Sequence, residues 1–113
     1  MNFQPELATK VMAGEKTVTR RLMSDNPRSP WSRKGCKLRE GRTYAVCPGR
    51  GKHAIGRVRI LDVIGMPLDY LDESDARLEG FDSAAAFEAA FTEINGKYDP
   101  RAWVWRVSFE ATV

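Results

Sequence analysis

Two runs of strand-forming residues, Thr43 to Cys47 and residues 54–64, stand a single short turn apart, Pro48-Gly49-Arg50-Gly51-Lys52. Parallel neighbours need a crossover of about a dozen residues, so intervals this short force an antiparallel arrangement. A third run, residues 102–110, alternates in the manner of a strand, with Trp103, Trp105, Val107 and Phe109 on one side and Ala102, Val104, Arg106 and Ser108 on the other. The Trp-rich side reads as core packing. Helical patterns lie before and after the central strands, which excludes regular β-α-β alternation. The fold class that follows is α+β: a small mixed, mainly antiparallel β-barrel with peripheral helices.

Local chemistry marks the remaining elements. Pro5 suits the first turn of a helix, Leu7, Val11 and Met12 recur at helical spacing, and Gly14 can cap the end, which predicts a helix over 5–13. Residues 16–21 are rich in β-branched side chains and alternate as a strand. Residues 23–35 hold Pro27, Pro30 and Gly35 among Ser, Asn and Asp, which is loop composition. The long strand changes parity near Leu61-Asp62, so a bulge is expected there. Acidic residues and Asp/Ser caps after Pro67 suggest a short helix around 69–77. Ser83 or Asp82 then caps a helix with Ala84, Phe87, Phe91 and Ile94 on one face, ended by Asn95-Gly96.

A length of 113 residues fits one domain, 1–113, large enough for a real core without staples. No apolar run approaches the ~18 residues of a membrane span, and Met1-Asn2-Phe3-Gln4-Pro5-Glu6 lacks the basic and apolar regions of a secretory leader. The expectation is a soluble cytoplasmic domain with no membrane partner. The net charge of +3 conceals an asymmetry: residues 1–60 carry 14 basic and 4 acidic side chains, whereas residues 61–113 carry 4 basic and 11 acidic ones. Such a split points to an anionic partner, nucleic acid or another phosphate-bearing ligand, or to two halves that neutralise each other across the folded surface.

Cys36 and Cys47 stand eleven apart beside a single histidine, His53. That inventory lacks the four ligands of a structural zinc and offers no disulfide framework, so neither metal nor cofactor is expected. Cys47, in the apolar run Tyr44-Ala45-Val46-Cys47, reads as a buried structural thiol rather than a nucleophile.

The densest chemistry lies in Gly14-Glu15-Lys16-Thr17-Val18-Thr19-Arg20-Arg21. Strand alternation puts Thr17, Thr19 and Arg21 on one face with Lys16 at its mouth. Arg can grip a phosphate or carboxylate with two parallel hydrogen bonds, and a hydroxyl beside a desolvated Lys is one route to an activated nucleophile. The same residues on an exposed edge strand would be solvated charges, and spacing alone does not separate the two.

The run Gly14-x-Lys16-Thr17-x-Thr19-x-Arg21 after an amphipathic helix resembles the signature of the ASCH domain, a relative of the RNA-binding PUA fold. Glu79-Gly80-Phe81-Asp82-Ser83 before the Phe87 and Phe91 helix is similar to the acidic residue and Gly that precede the corresponding ASCH helix. The aromatic strand Trp103 to Phe109 and the middle strand with Tyr44 complete the likeness, which spans nearly the whole chain.

The resemblance implies a PUA-like barrel with a cleft where the Lys-Thr strand, the Glu and the basic turn converge. It also implies RNA binding, single-stranded RNA cleavage, or hydrolysis of 4-acetylcytidine to cytidine. In the amidohydrolase branch the matching positions are Lys16, Thr19 and Glu79. Thr19 would attack the acetyl carbonyl, Lys16 would activate it and Glu79 would relay a proton to the leaving amine. Two features depart from that branch: Arg20 stands where it carries an apolar side chain, and the basic 23–35 loop, with Arg28, Trp31, Arg33 and Lys34, is longer. A polynucleotide binder would use such a loop. There Trp31 or Tyr44 would stack on a base, while Arg33, Lys34, Arg50 and Lys52 meet phosphates and Thr17, Arg20 and Arg21 line the cleft. The partner expected on either reading is RNA or a modified nucleoside.

Overall fold

In the computed structural model, which describes residues 1–112, three helices and four strands follow in the order α1 (Pro5–Met12), β1 (Val18–Leu22), β2 (Thr43–Val46), β3 (Gly56–Pro67), α2 (Glu73–Leu78), α3 (Ala84–Asn95) and β4 (Trp103–Ala111). The strands form one antiparallel sheet ordered β1-β4-β3-β2, curled into a half-barrel. The α+β, mainly antiparallel class is therefore what the chain adopts. Its parallel character is confined to two isolated bridges, Asn2 with Cys47 and Ser24 with Ser32.

Each boundary has a local cause. Pro5 starts α1, and Gly14 at a φ of 78° turns the chain out of it. The backbone N–H groups of Glu15 and Lys16 both return to the Lys10 carbonyl, so the strand begins two residues later than alternation suggests, at Val18. Lys16 and Thr17 thus belong to the connection rather than to β1. The helix expected from residue 69 begins at Glu73, because Asp72 caps it by accepting from the Asp75 N–H. Ser83 caps α3 on the Ala86 N–H, and Gly96 ends it at a φ of 84°.

The anticipated bulge is present. Ile60 pairs with Phe109 and Asp62 with Ser108, leaving Leu61 as the extra residue. Beyond it β3 continues to Pro67, three residues past its expected end.

Both faces of the sheet are covered. One cluster packs α1 and Phe3 on Val58, Ile60, Val107 and Phe109; the other packs Phe87 and Phe91 of α3 and Ala76 of α2 on Val104 and Leu68. β4 lies between β1 and β3, so its two faces feed different clusters. That corrects the single-sided reading of this strand: Val104, assigned to the outer side, is fully buried, whereas Trp103 is 48% exposed at the strand start. Trp105 does pack inward, and its indole N–H donates to the Ser32 carbonyl at 3.1 Å, tying the 23–35 loop to the sheet. Cys36 is the buried thiol and Cys47 is only half-buried; both are free. Among the described residues no helix is long and apolar enough to cross a membrane.

Candidate functional site

β1 is an edge strand, and the chain segments at its two ends bring the motif residues together. Gly14 releases the chain so that Lys16 folds back over the start of β1, where its ammonium donates to the Val18 carbonyl at 2.7 Å. Glu79 arrives from the opposite direction as the C-cap of α2. Lys16 Nζ donates to its backbone carbonyl at 2.8 Å and to its Oε1 at 3.1 Å, while Arg20 Nη1 donates to its Oε2 at 2.7 Å. Asp75 adds a longer ion pair to Arg20 at 3.8 Å. Lys16 and Glu79 are each only 2% exposed, so this is an ion-pair network removed from water. Arg20 Nε is the one buried side-chain polar atom without a partner among the described residues.

The network reconciles the two charge balances read in the sequence. Two cations of the basic half are neutralised by carboxylates of the acidic half, and they are not available to an external phosphate. Burial pushes the Lys16 ammonium below its ordinary value of 10.5, desolvation outweighing the pull of the adjacent Glu79 carboxylate.

Next to the network opens a cavity of about 580 Å³. Lys16, Thr19, Arg20, Arg21, Trp31 and Glu79 all border it, so the candidate catalytic trio does converge on one space. Thr19 Oγ1 accepts from Arg21 Nε at 3.3 Å, and the three Lys16 protons go to Val18 and Glu79 rather than to Thr19. The Arg21 guanidinium lies 5.0 Å from the ring centres of both Phe3 and Trp31, and it donates to the Asn2 carbonyl at 2.7 Å. Burial depresses the pKa of this guanidinium too, with Glu79 opposing the shift. A poorly hydrated cation held between two rings is a strong anchor for an acceptor or anionic group.

The other candidates lie outside the cavity wall. Thr17 uses its backbone to join Leu78 and Phe109. Arg33 is exposed and paired with Asp25 at 3.0 Å, and Lys34 is exposed on the same loop. The Tyr44 hydroxyl accepts from the Arg39 N–H, and its ring packs against the first core cluster. Arg50 and Lys52 are exposed in the turn after Gly49, the residue of that turn which borders the cavity.

Sequence reasoning assigned no site role to Phe3, Phe87 and Phe91, which supply the apolar walls. Phe87 and Phe91 carried the signal of a helix face and serve both core and cavity. Phe3 carried none, because its position depends on the pairing of its backbone N–H with the Cys47 carbonyl.

Gly80 fixes the approach of Glu79. It has a φ of 93°, and a Cβ there would stand 3.1 Å from the Lys16 Cβ. Gly80→Ala is expected to lower stability by about 1–2 kcal/mol through the left-handed backbone alone, measured as a reduced urea midpoint. An unchanged midpoint would show that the turn tolerates a side chain.

No protein-family profile and no curated protein sequence matches this chain. Solved structures do. The ASCH domain from Lactobacillus crispatus superposes with a TM-score of 0.64 at 19% identity, over 94% of this chain and 70% of that one. An Enterococcus faecalis protein assigned to DUF984 gives 0.60 at 21% identity, over 95% and 70%. The Zymomonas mobilis ASCH protein gives 0.60 at 14% identity, over 97% and 66%. The fold is that of the ASCH domains.

Proposed function

We propose that this ASCH-fold chain binds a single nucleoside, modified and free or carried by RNA, in the cleft beside β1. The observation that carries the reading is the composition of the cavity. Apolar and aromatic walls from Phe3, Trp31, Phe87 and Phe91 face a polar floor of Thr19, Arg21 and the Lys16–Glu79 pair, in a volume of about 580 Å³. Pockets of this kind bury most of a small ligand and orient it with few polar groups. A nucleoside offers a flat π-face for the rings and hydroxyl or carbonyl acceptors for Arg21. Arg50 and Lys52, on the turn that reaches the rim through Gly49, would meet flanking phosphates if the nucleoside belongs to a strand. Calorimetric titration with cytidine, 4-acetylcytidine and a short single-stranded RNA tests the proposal. Binding of at least one supports it, and a salt-dependent preference for the RNA identifies the strand-borne form. Failure of all three to bind overturns it.

Hydrolysis of an acylated nucleoside is the second reading, favoured by the burial of Lys16. In that reaction Lys16, having lost its proton to solvent, takes the Thr19 hydroxyl proton as a neutral amine while Oγ1 attacks the acetyl carbon, and the proton is relayed through Glu79 to the leaving amine. The C–N bond breaks as the leaving amine is protonated, and water releases acetate from the acyl-threonine. Desolvation favours the neutral amine, so turnover is expected to rise with pH and to level off below the ordinary lysine value of 10.5. Thr19→Ala is expected to reduce kcat by at least about 100-fold. Cytidine release at the wild-type rate by that variant excludes the threonine as nucleophile.

A further inference from the structure

As an edge strand, β1 has main-chain groups that sheet pairing does not use. Phe109 N–H donates to the Thr17 carbonyl, and Met23 N–H donates to the Trp103 carbonyl. With the register Val18–Ser108 to Leu22–Val104, these bonds put residues 17, 19, 21 and 23 on the side bonded to β4. The N–H and C=O groups of Val18, Arg20, Leu22 and Ser24 therefore point away from the sheet. Both ends of that row are closed. The Val18 carbonyl accepts from Lys16 Nζ, while the Ser24 N–H donates to the Trp31 carbonyl and its C=O accepts from the Arg33 N–H. Between them, the main-chain groups of Arg20 and Leu22 have no partner from another strand.

Two of the closing residues, Lys16 and Trp31, and both window residues, Arg20 and Leu22, border the space described above. The open window thus runs along the cavity, with Phe87 and Phe91 of α3 across from it. It spans two residues, roughly 7 Å of strand. That is too short for an added peptide strand, which pairs over several residues, and it is enclosed by rings suited to a flat group.

We propose that the unpaired edge of β1 reads the hydrogen-bonding edge of a nucleobase. The Arg20 carbonyl accepts from the exocyclic amine, and the Leu22 N–H donates to the adjacent ring nitrogen. The inner pair of the window is chosen because it lies farthest from both closed ends. This deepens the nucleoside reading and rests on it. It also says what class of base fits: one presenting a donor beside an acceptor in its plane, as cytosine does. Side chains lining the cleft could change without loss of this selectivity, because the selecting groups are main chain.

The test compares cytidine with two analogues on the wild-type protein: N4,N4-dimethylcytidine, which lacks the amine donor, and 3-deazacytidine, which lacks the ring acceptor. A site that hydrogen-bonds its ligand rejects such analogues strongly, so each is expected to bind at least about 10-fold more weakly. A second arm removes the protein donor, by Leu22→Pro and by an amide-to-ester exchange at Leu22 that keeps the side chain. Proline is tolerated on an edge strand where the N–H points outward, and it removes no ladder bond here. Both variants are expected to weaken cytidine by at least about 10-fold while the penalty for 3-deazacytidine disappears. Equal binding of all three nucleosides by the wild type overturns the proposal and leaves nucleoside binding standing, as does an ester variant that binds cytidine like the wild type. No binding of any of them overturns both. If the variants fail to fold, the analogue series on the wild type decides alone.

Discussion

Glu79→Ala is expected to destabilise the protein by about 3–5 kcal/mol, the range for breaking a buried ion pair on one side only. The carboxylate is the sole counter-charge hydrogen-bonded to both the Lys16 ammonium and the Arg20 guanidinium, at 3.1 and 2.7 Å. Remove it, and two cations remain in a place from which water has been excluded, with Asp75 at 3.8 Å on the Arg20 side only. For a domain of about this size each kcal/mol corresponds to several degrees of melting temperature, so a fall well above 10 °C follows. Thermal unfolding followed by circular dichroism measures it. Charge, rather than lost packing, is isolated by a cycle with Lys16→Met: the double variant should cost clearly less than the two single changes together, because the methionine removes one of the stranded cations. Additive losses would show that the network contributes only as packing.

The second large effect concerns binding and leaves the fold in place. Arg21→Met is expected to weaken nucleoside affinity by about 100-fold, the loss of one charge-assisted contact in a partly buried site. Methionine retains much of the stem that fills the gap between Phe3 and Trp31, so the melting temperature should change little. Arg21→Lys should also lose affinity, because an ammonium cannot spread its charge between two ring faces or keep the planar donation to Thr19 and Asn2. Calorimetry on the two variants measures both. Wild-type affinity in Arg21→Met would place the ligand elsewhere in the cleft, away from the ring sandwich.

Much of the scaffold was legible because it is set by short-range chemistry. Pro5, Gly14, Ser83 and Gly96 each act on their own backbone, and each bounds the helix that its chemistry indicated. The bulge at Leu61 was legible for a related reason: a bulge moves every later side chain to the other face, so it leaves a parity change in the apolar pattern. Strand assignments were less complete. The alternation of β4 shows one aromatic face and suggests a one-sided strand, but a central strand in a doubly covered sheet buries both, and Val104 carries no mark of which cluster will claim it.

The candidate site divides along the same line. Residue types identified Lys16, Thr19, Arg21 and Glu79 as able to do chemistry, since desolvatable amines, hydroxyls, guanidinium forks and carboxylates have that capacity wherever they stand. They could not say that Lys16 would spend its three hydrogen bonds on Val18 and Glu79, or that Arg20 would turn from a candidate ligand contact into the second partner of the same carboxylate. The basic excess of the first half is compatible with a phosphate-facing surface or with neutralisation by the acidic half, and part of it is internal.

The sequence by itself determined an α+β chain built on a mainly antiparallel sheet, because turn lengths, caps and alternation act within a few residues of one another. It also determined which side chains had the chemistry to form a site. Only the tertiary structure decided that β1 lies at the edge with two residues of its backbone unpaired beside a ring-walled cavity. Strand order depends on contacts between residues nearly ninety positions apart, such as Thr19 with Val107. Whether a main-chain group is spent or free is fixed by those contacts and leaves no trace in residue type.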